Sequence, residues 1–161
     1  MKRRKVWAAA LLPLLMSGTA WAADPLAPLD FLIGHWQAPA VSADSPDQGG
    51  TFDIGRDLGG TVLVRHDHIR LKDGGAMDML MLVYPEAGGL RADFFDTAGH
   101  VIHYQAASVT ADQVTFLSDG TGPTFRLTYS AVGKENLRVR FEIKPPGGDF
   151  KVFTEGMATR G

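Results

Sequence analysis

An all-β fold is what this sequence predicts: a single antiparallel up-and-down β-barrel of about ten strands, preceded by a short N-terminal helical turn. Three observations point there. Apolar and polar residues alternate with period two along most of the chain, as in strands that bury one face. Glycine-rich turns punctuate those runs at the spacing of a barrel or sandwich. No later segment sustains a 3.6-residue period over helical length. Closing such a meander removes the edge strands that invite aggregation.

The first 22 residues read as a secretory signal peptide. Lys2, Arg3, Arg4 and Lys5 form a basic region, an apolar run covers 6–16, and Ala20-Trp21-Ala22 supplies an A-x-A cleavage site. The apolar run is shorter than the ~20 residues of a spanning helix, so no stable membrane anchor is expected. The chain has no cysteine, hence no disulfide and no attachment point for lipid-anchored export. The expected location is periplasmic or secreted, with 23–161 as one barrel domain. Removing 1–22 takes away four basic residues and no acidic one, shifting the net charge from −2 to −6. That acidity argues against nucleic acid as a partner, because phosphate binding needs clustered Lys and Arg. Oligomeric state stays open.

Pro25 and Pro28 make 23–30 an extended lead-in, and 29–33 fit one helical turn with Asp30 near its start. Gly34-His35-Trp36 opens the first strand. Residues 38–50 read as a polar loop marked by Pro39, Pro46 and Gly49-Gly50. Further strands are expected at 51–54, 61–71, 77–84, 90–95, 100–107, 113–117, 124–130, 137–144 and 150–159. In 137–144 the alternation is cleanest, with Leu137, Val139, Phe141 and Ile143 against Arg138, Arg140, Glu142 and Lys144.

The frame Phe31-Leu32-Ile33-Gly34-His35-Trp36 resembles the G-x-W opening of the calycin barrels, the lipocalins and fatty-acid-binding proteins. It also looks like the start of nitrobindin-like haem-binding barrels and of small exported bacterial domains of unknown function. The resemblance implies that Trp36 covers the barrel floor and that Arg160, near the end of the last strand, packs on it. Such a cation–π contact is worth about 0.5–2 kcal/mol. Nitrobindins hold ferric haem through a late histidine, whereas no histidine follows His103 here, so no cofactor is expected.

Strand phase then nominates pocket residues. The uncharged face of 77–84 is Met77, Met79, Met81 and Val83, and that of 90–95 is Leu90, Ala92 and Phe94. Phe125, Leu127 and Tyr129 extend the wall. A two-residue turn pairing Asp96 with Gly99 would set Ala92 opposite His103 and turn that imidazole inward. Adaptable methionines beside aromatics suit a variable apolar ligand. The expected function is therefore binding of a small hydrophobic or amphipathic molecule inside the barrel. Met79, Met81, Phe94 and Tyr129 form its wall in this reading, with His66, His68 and His103 as polar anchors. A barrel of this size either holds a ligand or fills with side chains, and the sequence leaves the two open.

The alternative is a metal-dependent enzyme. His66 and His68 share a strand face, and Gly60-x5-His66-x-His68-x4-Asp73 is similar to the first motif of cupin metalloenzymes, with Asp for the usual Glu. His103 would be the third imidazole. No catalytic residue is assigned: there is no thiol, and Ser108, Ser118 and Ser130 lack a G-x-S-x-G elbow.

Overall fold

Leu26, Leu29 and Leu32 recur every three residues, the repeat of a 3-10 turn, and the chain forms that turn over Ala27–Leu32 with all three leucines buried. This is a computed structural model, which describes residues 23–161 apart from 41 and 43. The signal-peptide assignment, 1–22, lies outside the described residues.

Ten strands follow: β1 Gly34–Pro39, β2 Asp47–Asp57, β3 Val62–Leu71, β4 Ala76–Glu86, β5 Gly89–Asp96, β6 Val101–Val109, β7 Gln113–Ser118, β8 Thr124–Val132, β9 Asn136–Lys144 and β10 Lys151–Arg160. Each pairs antiparallel with its sequence neighbours, and β1 pairs with β10, so the sheet closes. Alternate residues point inward, and the inward set supplies the core, including Phe52, Leu63, Tyr104, Phe116, Tyr129 and Leu137.

The 3-10 turn plugs one end of this barrel. Trp36 is only 1% exposed, and its indole Nε1 donates to the Leu32 carbonyl at 2.9 Å. The Arg160 guanidinium carbon lies 4.4 Å from the Trp36 ring centroid, and Nη1 donates to the Ile33 carbonyl at 2.7 Å. A Cβ on Gly34 would overlap that same Nη1, and Gly34 holds φ +152°, so glycine leaves room for the guanidinium. The G-x-W frame is thus a steric arrangement. His35, on the other face of β1, points outward and bonds Asp53 at 2.8 Å.

Two expectations are corrected. Residues 38–50 are not one loop: Ala38 pairs with Gly50 and Pro39 with Gly49. Gly49-Gly50 serves a strand irregularity, since the β2–β3 register shifts between Asp47 and Gly50 and a Cβ on Gly50 would overlap the His68 carbonyl oxygen. The β5–β6 hairpin also departs from its expected register. Asp96 N–H bonds the His100 carbonyl, so three residues make the turn and Ala92 faces Tyr104 while Asp93 faces His103. One extra turn residue flips every side chain of β6 to the opposite face.

Outside the barrel, Glu142 is a buried carboxylate. Arg126 Nε and Nη2 donate to its two oxygens at 2.6 and 2.8 Å, and Arg140 Nη2 stands 3.2 Å away. The hydrogen bonds from Arg126, opposed by burial, hold the Glu142 carboxyl below its usual range.

Trp36→Ala should cost about 3–5 kcal/mol in urea-unfolding free energy, as for other large aromatic truncations in cores. A loss under 1 kcal/mol, roughly that of an ordinary surface site, would show that Trp36 does not close the barrel. Glu142 gives a pH signature. Its folded-state value is depressed, so its contribution is complete above the unfolded value of about 4.3 and disappears as pH falls through the folded one. The thermal midpoint should fall on acidification below about pH 4.3, and Glu142→Gln should make that fall shallower.

Candidate functional site

The barrel interior is densely filled near the floor and less deeply buried toward the other end. Near the Trp36 floor, Leu63, Ala92, Val114, Phe116 and Leu137 are essentially inaccessible to solvent. The cavity left among Leu32, Ile54, Phe116 and Tyr129 measures about 10 Å³, at the limit for one water molecule.

At mid-depth sits a buried charge pair. Arg65 lies opposite Ile54 on one side and Met81 on the other, both inward residues, so the Leu63, Arg65, Asp67, Ile69 face of β3 is the inner one. Arg65 Nε donates to Asp67 Oδ1 at 2.6 Å, Nη2 contacts Oδ2, and Nη1 contacts the Tyr129 hydroxyl. The guanidinium carbon lies 4.3 Å from the Phe52 centroid and 5.3 Å from that of Tyr129. Phe52 in turn stacks on Trp36 at 6.2 Å. Burial alone would lower the Arg65 pKa, but the charge of Asp67 and the contacts with Asp67 and Tyr129 outweigh it and raise the value. Burial pushes up the Tyr129 and Tyr104 phenols. Both phenols therefore stay protonated near neutrality and are poor bases. This layer is a self-satisfied polar platform.

Above it, away from the floor, six apolar inward residues are only half-buried, Met77, Met79, Phe94, Ile102, Phe125 and Phe141. Ile69 opposite Met77 is buried, and the Asp96 carboxylate stands opposite Met79. Phe125 and Phe141 stack at 5.7 Å. Phe153, at the β10 bulge, meets Phe141 edge-on at 6.0 Å and is 72% exposed. These half-buried residues form the rim, or mouth, at the end of the barrel opposite Trp36.

The residues nominated from sequence separate into three groups. Met79 and Phe94 line the mouth. Met81 and Tyr129 lie deeper, in the packed layer, where the Tyr129 hydroxyl donates to the Met81 sulfur at 3.5 Å. His66, His68 and His103 are exposed on the outer face, which corrects their expected place inside. The register explains each case. His66 shares a face with outward Leu80, His68 Nδ1 bonds Asp78 at 2.7 Å, and His103 Nδ1 bonds Asp93 at 2.6 Å. β4 and β5 separate His103 from His66 and His68, so the three imidazoles do not converge. Among the described residues no group of three or more metal-ligating side chains forms.

Sequence reasoning missed Arg65 and Asp67. The available signal was their spacing: two oppositely charged residues at i and i+2 of one strand share a face and satisfy each other. No protein-family model and no curated protein matches this chain.

Removing one partner of the buried pair should be far worse than removing both. Asp67→Leu should lose about 3–5 kcal/mol, because it strands a guanidinium, whereas Arg65→Met/Asp67→Leu should recover most of that loss. Denaturant unfolding of the two variants and the parent measures this directly.

Proposed function

We propose that the barrel is a calycin-like binding protein that takes a small apolar or amphipathic molecule in its open mouth. The observation that carries the reading is the gradient of burial along the interior. Inward residues are tightly packed near Trp36, whereas Met77, Met79, Phe94, Ile102, Phe125 and Phe141 toward the opposite end are half-buried. Exposed inward apolar surface is unfavourable by about 25 cal/mol per Å², and a ligand that covers it recovers that free energy. The methionines at 77 and 79 adapt their shape, while the Phe125 and Phe141 rings present a flat wall.

The Arg65–Asp67 layer sets how deep the ligand goes. Its charges already satisfy each other, so it offers little to a ligand carboxylate or ammonium group. The apolar part of the ligand enters and any polar group stays at the rim. This resembles the calycin mode of binding in an enclosed barrel, with a shallower site here because the lower half is filled. Release into the periplasm or the medium fits a carrier of poorly soluble molecules.

Titration with N-phenyl-1-naphthylamine, a neutral apolar fluorophore, tests the reading. Saturable enhancement is expected. Met77→Glu should weaken it at least tenfold, because a carboxylate in the mouth must be desolvated when the dye enters. Leu58→Ser, on an exposed residue outside the mouth, should leave it unchanged. Absence of saturation, or equal affinity in Met77→Glu, would overturn the proposal.

A further inference from the structure

A second concavity lies on the outer wall, where β7, β8, β9 and β10 run side by side. It has a volume of about 350 Å³, within the lower range of small-molecule sites. The cross-strand register builds it row by row. Gln113, Ser130 and Arg138 form one row, and Thr115, Thr128, Arg140 and Glu155 the next. Arg126 and Glu142 close the end. Short hydroxyl side chains make the bed, and long guanidinium and carboxylate side chains make the sides.

The charges are unevenly matched. Arg126 is committed to Glu142 by two hydrogen bonds, and Arg140 is shared between Glu142 at 3.2 Å and Glu155 at 3.6 Å. Arg138 has no ion pair or hydrogen bond from its guanidinium among the described residues. The lining thus carries three cations against two anions. Nε of Arg140 makes no hydrogen bond; it is the atom that faces Glu155 at 3.6 Å, so its charge is met while its N–H is left without an acceptor. Around these groups the hydroxyls form their own network: Thr115 and Thr128 at 3.3 Å, and Ser130 donating to Gln113 Oε1 at 3.1 Å. Each keeps acceptor or donor capacity for a ligand hydroxyl.

From this arrangement we infer that the β7–β10 groove binds a small polyhydroxylated anion, a sugar acid or sugar phosphate, with Arg138 as the principal charge contact. The anionic group pairs with Arg138, where charge-assisted hydrogen bonds are strongest and the forked guanidinium matches two oxygens. The carbinol groups lie across Thr115, Thr128 and Ser130. Glu142 and Glu155 limit the site to a low negative charge, because a highly charged polyanion would meet two carboxylates. The site lies on the outside of the wall, so it is independent of the mouth.

Side-chain Nε–H resonances of the ¹⁵N-labelled protein provide the test, titrated separately with gluconate, glucose 6-phosphate and glucose at ionic strength matched with sodium chloride. Saturable shifts of arginine Nε–H signals by gluconate, by glucose 6-phosphate or by both are expected, and which of them binds identifies the anionic group. Arg138→Gln should weaken that binding about tenfold or more, whereas Arg70→Gln, an equal charge change elsewhere on the surface, should not. Shifts no larger than those from sodium chloride alone would overturn the inference. So would glucose binding as well as the anions, or anion binding that survives Arg138→Gln.

Discussion

The buried pair of Arg65 and Asp67 is the constraint around which the interior is arranged. Two charges at the centre of a barrel are tolerable only when every hydrogen-bonding direction is met. Asp67 takes two of the guanidinium nitrogens, Tyr129 takes the third, and the rings of Phe52 and Tyr129 lie against the cation. Phe52 stacks on Trp36, and Trp36 lies under Arg160. A column in which two arginines bracket the stacked Trp36 and Phe52 rings therefore runs from the floor to mid-height. It fixes the height at which packing ends and the mouth begins.

Much of the architecture was legible in the sequence. Alternation along 77–84 placed Met77, Met79 and Met81 inward, and the pairing of a β1 tryptophan with a terminal arginine followed from the G-x-W frame. What was not legible depended on register or on mixed faces. The strand at 62–71 carries charge on both faces, so periodicity alone does not choose between the His66 face and the Arg65 face. Partner strands decide it, and they set Arg65 beside Ile54 and Met81. A two-residue turn after Asp96 would set His103 inward; the actual turn has one residue more and sets it outward. Gly49-Gly50 has the composition of a turn but sits at a close backbone approach within the sheet.

The outer groove was invisible for a different reason. Its members come from four strands, and no single segment carries more than three of them. Thr115, Thr128 and Arg140 become neighbours only through two successive cross-strand pairings. Spacing within a segment reveals faces, while sites assembled across a sheet need the register of each pair.

Closure by β1 and β10 also shapes how the molecule comes together. The seam joins Ile33 to Arg160, 127 positions apart, while the other strand pairings link sequence neighbours. The neighbouring hairpins form from local contacts, and the seam must await both ends of the chain, the costliest loop to close. Trp36, the sole indole of residues 23–161, stands at that seam. Its fluorescence thus reports two events, the docking of Phe52 in the β1–β2 hairpin and the arrival of Arg160 when the wall becomes a ring, and is remote from the other hairpins.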